Sequence, residues 1–309
     1  MERHFLYVIT APDAGKSLGE FLREHGYSRR LLARLKRTPQ AVRKNGVATQ
    51  TGIPLAAGDR LDILLPEEKP SDKIEPVPLP FTVVYEDRDI LVIDKPADMP
   101  VHPSPGNYGN TLANAVAAHA LKRGESCVFR CINRLDRDTT GLLILAKHAL
   151  SGAILSAAMK RRAIRRTYLA VVQGCPEPKD GQIDAPIGRA PGSCIQRQVD
   201  FLHGERAVTH YRTVSAGPVY SLIELHLDTG RTHQIRVHMA HIGCPLPGDF
   251  LYNPDFSHIN RQPLHAAALD FDHPVTGDPL HFETALPADM KRLLEMQPFH
   301  TARLFTGGS

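Results

Sequence analysis

The sequence predicts a mixed α+β protein, with a small N-terminal α+β module ahead of a larger α+β domain built on a mostly antiparallel sheet. Three observations lead there. Short apolar runs with strand character are interleaved with a few helical stretches, many of them meeting at short turns. A proline-rich, mixed-charge stretch divides the chain into two parts. Finally, 309 residues that are 42% hydrophobic and 23% charged supply ample material for a core.

The module occupies residues 1–69. Ser17-Leu-Gly-Glu20 is a capping box followed by Leu18, Phe21 and Leu22 at helical spacing, and Gly26 closes the helix. Ser28 caps a second helix in which Leu31 and Leu35 share one face while Arg30, Arg34 and Arg37 line another. Thr38-Pro39 ends it. Asn45-Gly46 predicts a tight hairpin, and Arg60–Leu64 alternates as a strand. Of the 37 basic and 33 acidic residues, twelve and eight lie in the first 69, so the remainder is neutral and the whole excess of +4 sits here. Arg29, Arg30, Arg34, Arg37, Arg43 and Lys44 form a one-sided basic surface suited to phosphate oxygens. The pattern resembles the alpha-L RNA-binding module, which implies contact with RNA.

Residues 66–80 contain five prolines. The boundary falls here, with 70–80 expected as an extended, poorly packed tether and 81–297 as the second domain. Residues 298–309 are read as a tail.

In that domain, Val83–Tyr85 and Ile90–Ile93 flank Glu86–Asp89 as a hairpin leading to Asp94-Lys95-Pro96. Helices are expected at Thr111 to about Lys122 and Ala149 to about Arg161. Strands follow at Arg165–Val172, Val208–Val214 and Tyr220–Leu227, then a helix from Thr232 to Gly243 with Ile235, His238, Met239 and Ile242 on one face. The centre of the chain is Cys131–Lys147. There Arg134, Asp136, Arg137 and Asp138 crowd a loop that feeds the apolar strand Leu142–Ala146, an arrangement able to hold one carboxylate at the floor of a cleft.

The string Arg134-Leu135-Asp136-Arg137-Asp138-Thr139-Thr140-Gly141 resembles the signature loop of the RluA family of RNA pseudouridine synthases. Asn133 stands where that family usually has His, and Thr140 where it has Ser. Asp228-Thr229-Gly230-Arg231-Thr232-His233-Gln234-Ile235-Arg236 is a second resemblance, after which Gly248-Asp249, Arg261–Ala266 and His273–Gly277 follow in family order; Ile93–Pro96 through Val101-His102-Pro103 also resembles the family. The resemblance implies a domain with one large sheet, isomerisation of uridine to pseudouridine in RNA, and Asp136 as the catalytic carboxylate. It further implies Arg231 as the partner that keeps Asp136 charged and oriented, and Tyr168 as the active-site tyrosine that stacks on uracil and serves proton removal from carbon 5. Arg134 and Arg137 flank Asp136 and are expected to hold phosphates or fill the gap left by a flipped base. Whether the carboxylate attacks sugar, attacks the ring or removes a sugar proton stays open. The implied substrate is large-subunit ribosomal RNA. Transfer RNA, or a non-catalytic ribosome-assembly role prompted by Asn133, are the alternatives. A glycosidase would need two well-separated carboxylates, and Asp136 and Asp138 are too close in the chain to flank one bond.

The isomerisation is redox-neutral and adds no outside group, so no cofactor is expected. His233, His238 and His241 lack metal-ligand spacing, so no metal is expected either, and His238 is read as packing in the core with Met239. Five cysteines with no C-x-x-C pair suggest reduced thiols. No apolar run approaches the ~18 residues of a membrane span. A cytoplasmic monomer without membrane contact is the expectation.

Overall fold

The computed structural model describes residues 3–296, and the tail at 298–309 lies outside the described residues. The elements in chain order are β1 (Arg3–Val8), α1 (Leu18–Glu24), α2 (Arg29–Arg37), β2 (Val42–Lys44), β3 (Val47–Ala48), β4 (Arg60–Leu65), β5 (Thr82–Glu86), β6 (Ile90–Lys95), α3 (Leu112–Lys122), β7 (Thr140–Ala146) and α4 (Ala149–Lys160). They continue with β8 (Arg165–Gln173), β9 (Asp180–Asp184), β10 (Ile187–Arg189), β11 (Arg197–Val199), β12 (Val208–Ala216), β13 (Tyr220–Leu227), α5 (Gln234–His241), β14 (Leu264–Asp272), β15 (Pro279–Glu283) and α6 (Ala288–Glu295).

The N-terminal sheet runs β1-β4-β2-β3, with α1 and α2 packed on it through Leu18, Phe21, Leu31 and Leu35. The capping box at Ser17 and Glu20 forms as read, and the Asn45-Gly46 turn takes positive φ at both residues, as a type I′ hairpin requires.

The second sheet has nine strands, in the order β5-β6-β7-β14-β8-β13-β12-β9 with β15 paired to β14. All of its pairs are antiparallel except the central β7–β14 pair. Side chains alternate across it. On β8, Tyr168, Ala170 and Val172 join a core with α3 and α5, whereas Leu169 and Val171 meet Met290 and Leu293 of α6 on the reverse. β7 is buried along its whole length, Leu143 and Leu145 facing one side and Leu142 and Ile144 the other, under Leu155 of α4. This explains its unbroken apolar run. Gly141 is dictated by the parallel pair: its φ is +108°, and a Cβ there would lie 2.3 Å from the Ala266 carbonyl oxygen.

Residues 70–80 form no helix or strand and are largely exposed, yet they and their flanks are anchored. Glu68 pairs with Arg34 at 2.8 Å and with Arg130, Asn114 donates to the Glu75 carbonyl at 2.8 Å, and Leu79 and Phe81 pack on the main core. The module is itself docked. Leu150 of α4 belongs to its hydrophobic core, and Gly26 approaches α4 so closely that a Cβ would fall 2.4 Å from Ile154. Arg3 grips Asp89 with two hydrogen bonds of 3.0 Å, and His148 reaches the same carboxylate at 2.8 Å. Burial would raise the Asp89 carboxyl, but these partners hold it below its ordinary value. Apolar burial plus a partly buried ion pair fixes the two sheets relative to each other.

Candidate active site

The loop before β7 is held from both sides, and this turns a charged string into a rigid platform. Asn133 is buried; its amide donates to the Leu142 carbonyl at 3.1 Å and accepts from the Ile144 amide at 2.9 Å. The residue that departs from the family pattern is thus a clip between the loop and β7. On the far side the fully buried Lys95 donates to the Arg137 carbonyl at 2.7 Å, as well as to Pro96 and Met99. Arg261 donates to the Asp138 carbonyl at 3.0 Å and is itself anchored on Asp289. Leu135 is buried, so Asp136 is presented outward from a fixed backbone.

Asp136 is 27% exposed and accepts one hydrogen bond, 2.8 Å from the Arg236 guanidinium to its Oδ2. Its Oδ1 has no partner among the described residues. Arg236 is 1% exposed and uses the rest of its fork on the fully buried Asp249, at 2.6 and 2.7 Å. Its guanidinium also lies 5.2 Å from the Tyr252 ring centroid and 5.5 Å from that of Phe250. Burial alone would lower the Arg236 pKa, but hydrogen bonds and charge from Asp249 and Asp136 hold it above the ordinary value.

This corrects the partner read from sequence. Arg231 does not touch Asp136; its guanidinium pairs with Glu205 and donates to the Arg206 carbonyl at 3.1 Å. The cause is local. His233 takes a left-handed backbone (φ 59°), so the helix begins at Gln234, two residues later than expected, and Arg236 rather than Arg231 turns inward. Gln234 then locks the preceding loop, accepting from the Arg231 amide at 3.0 Å and the Thr229 hydroxyl at 2.8 Å. His238 is buried as expected, and it is fully hydrogen-bonded, to Thr209 at 2.9 Å and the Ala185 carbonyl at 2.8 Å. The latter contact requires the Nε2–H tautomer, and burial lowers the His238 pKa.

Asp136, Tyr168 and Arg231 nevertheless line one cavity of ≈ 350 Å³, with Asp228 and the arginines 134, 162 and 166. That volume suits a small ligand or a single extruded nucleoside. Tyr168 is buried by its position on β8 between β14 and β13, and its hydroxyl makes no hydrogen bond to any described residue. Tyr168 thus lines the same cavity as Asp136 with its hydroxyl unpartnered among the described residues.

The basic residues read as RNA contacts divide. Arg134 is exposed on the cavity rim and makes no ion pair among the described residues, whereas Arg137 is occupied by Asp138 at 3.1 Å. Arg29, Arg30 and Arg37 of α2 are exposed and unpaired among the described residues. Arg34 is turned to Glu68 and the Pro66 carbonyl, Arg43 to Gln40, and Lys44 to Asp59 at 2.9 Å. Those acids and carbonyls come from the segment after β4 and the turn before it, remote in sequence, so spacing within the helix did not reveal them. Among the described residues one group, Asp87, Asp89 and His273, has metal-like spacing, but its ligand atoms are already bonded to Tyr85, Arg3, His148 and backbone amides.

A carboxylate with one oxygen unpartnered among the described residues, in a cavity rimmed by guanidiniums suited to phosphate oxygens, fits an RNA-modifying enzyme. Residues 89–241 match the model of the RNA pseudouridylate synthase family. The chain is 40% identical over 298 residues to the uncharacterized RNA pseudouridine synthase YlyB of Bacillus subtilis, covering 93% of this chain and 96% of that one. It is 42% identical over 253 residues to the ribosomal large subunit pseudouridine synthase D of Zymomonas mobilis, covering 76% and 78%. The fold is similar to that of human RNA pseudouridylate synthase domain containing 4, with a TM-score of 0.59 at 22% identity over 72% of this chain and 94% of that one. The chain belongs to the RNA pseudouridine synthases, and within them to the RluA type. It isomerises uridine to pseudouridine in RNA.

Proposed function

We propose that this enzyme modifies large-subunit ribosomal RNA, with Asp136 as the reacting carboxylate, Arg236 as the residue that positions it, and Tyr168 as the ring and hydroxyl beside the base. The observation that carries the assignment of roles is the division of Asp136, a cavity-lining residue: Oδ2 is fixed by a buried guanidinium and Oδ1 is unpartnered among the described residues. A carboxylate so held stays aimed while the uridine, unstacked from its strand, is enclosed. Breaking the glycosidic bond, turning the uracil and forming the carbon–carbon bond need one such group plus a route for the carbon 5 proton, and the unpartnered Tyr168 hydroxyl suits that route. The role of Asn133 as a clip removes the reason for suspecting an inactive relative.

The ribosomal target is supported by relatives named ribosomal large subunit pseudouridine synthase D, at 42% identity in Zymomonas mobilis and Nitrosomonas europaea. The exposed cations of α2, on a module docked to the catalytic domain, supply a second RNA contact. The test is to map pseudouridines in total RNA from cells carrying the wild-type gene or its Asp136→Asn form. Loss at large-subunit positions alone supports the reading, and loss confined to transfer RNA contradicts the ribosomal assignment.

A further inference from the structure

Besides the α2 face, the molecule carries a second concentration of positive charge, only part of which lines the Asp136 cavity. Residues 160–166 read Lys-Arg-Arg-Ala-Ile-Arg-Arg, five cations in seven residues. The segment is the turn between α4, which ends at Lys160, and β8, which starts at Arg165. Lys160, Arg161, Arg162 and Arg165 are exposed, and Arg166 is half-buried. Among the described residues only Arg162 has an acidic partner, Asp228 at 3.2 Å. A cation or two at the end of α4 would serve the helix dipole. Arg165 and Arg166 lie beyond the helix, on a strand, and need another explanation.

The placement of the turn supplies one. Arg162 and Arg166 line the cavity that holds Asp136. Arg161 and Ala163 line a cleft of ≈ 590 Å³ whose opposite wall is the N-terminal module, at Phe5, Tyr7 and His25. The segment is the partition between the two, and Arg162, Ala163 and Arg165 also line a third cleft, beside Asp270 and Asp272, with neither of which Arg165 is paired among the described residues. Glu24 and Asp272 are the acids on the cleft walls, and neither is paired with the ridge. Arg162 also holds a left-handed backbone, φ 61°, where glycine would be unstrained. A long cation is kept at a position that disfavours it, on the rim of the cavity.

We propose that Lys160–Arg166 is a phosphate-binding ridge that carries the RNA backbone from the extruded uridine, across the partition, toward the N-terminal module. It rests on the reading of the Asp136 cavity as the uridine site. The partner is single-stranded or locally opened RNA, because a strand that gives up one base to the cavity must run its flanking phosphates over the rim. The unpaired guanidiniums offer paired donors for those phosphates.

The test is binding of the full-length enzyme to a labelled oligouridylate across a salt series. Each phosphate contact on a single strand contributes about 0.7 to the slope of log affinity against log salt. The double variant Arg161→Gln/Arg165→Gln therefore lowers the slope by about 1.4, so that between about 50 and 200 mM salt it loses roughly 7-fold less affinity than wild type. The double variant Arg161→Lys/Arg165→Lys keeps the wild-type slope. Lys122→Gln, the removal of one charge at the exposed end of α3, also keeps it. A glutamine double variant with the wild-type slope overturns the ridge. A wild-type enzyme whose oligouridylate affinity ignores salt instead contradicts RNA binding at the site, so the two failures are separable.

Discussion

Replacing Arg236 by Lys is the sharpest perturbation of the site because it keeps the charge and removes the fork. The guanidinium makes three charge-assisted hydrogen bonds, 2.8 Å to Asp136 and 2.6 and 2.7 Å to Asp249. An ammonium is a point donor and does not span two carboxylates in that geometry. Loss of the Asp136 bond alone costs about 1.5–3 kcal/mol. If that bond serves the reaction, the cost corresponds to a rate loss of about 10- to 150-fold. The assay is single-turnover isomerisation at saturating RNA, with thermal melting alongside to confirm folding. Arg231→Lys is the comparison: Arg231 pairs with Glu205 at the surface, so its loss is expected to stay under about fivefold. An Arg231→Lys enzyme slower than Arg236→Lys would refute the reasoning, since the partner assignment would then not be the one that governs rate.

Three further outcomes follow from the platform beneath the loop. Asn133→Ala leaves the Ile144 amide and the Leu142 carbonyl without their side-chain partner, at about 1–3 kcal/mol each, and denaturant titration should show the loss together with a lower turnover. Gly141→Ala combines a disfavoured φ with overlap against Ala266, so strain and overpacking together should destabilise by about 2–6 kcal/mol, read as a lowered melting temperature. Lys95 gives a pH dependence: burial pushes it from 10.5 down to about 7, against the pull of Asp138 and Asp136. Between those values the folded protein has shed a proton that the unfolded chain still holds, so stability relative to Lys95→Met should rise as pH increases through that window. Denaturant midpoints for both proteins at either end of the window check this, and a constant difference would contradict it.

How much of this was legible in the sequence depended on whether the deciding contact was local. The Ser17–Glu20 box, the Asn45-Gly46 turn and the apolar run of β7 are set by neighbours in the chain, and all form as read. The loop around Asp136 was visible for the same reason. The exchange of Arg231 for Arg236 was not. Both sit in one motif five residues apart, and the choice turns on a left-handed His233 and on a carboxylate, Asp249, that reads in sequence as part of an ordinary Gly-Asp turn. A signal was present: Gly248-Asp249 is an acid next to a glycine in family order, and a buried arginine needs such a partner.

The fates of Arg34 and Lys44 were likewise set by acids distant in sequence, Glu68 and Asp59. β14 is not legible as a strand, since Arg261–Ala266 shows only a family motif, yet Leu264–Asp272 pairs in parallel with β7 in the middle of the sheet. Docking of the module is not legible in the sequence, because Leu150 and Ile154 look like the inner face of a single amphipathic helix, not a surface shared by two sheets.

The measurement closest to the centre of the account compares Asp136→Asn with wild type for pseudouridine formation and RNA affinity on the same transcript. The amide keeps the shape of the side chain and its contact to Arg236 while removing the charge. The account predicts no detectable product with binding near that of wild type, whereas an Asp136→Asn enzyme that still turns over would show that the reacting group lies elsewhere.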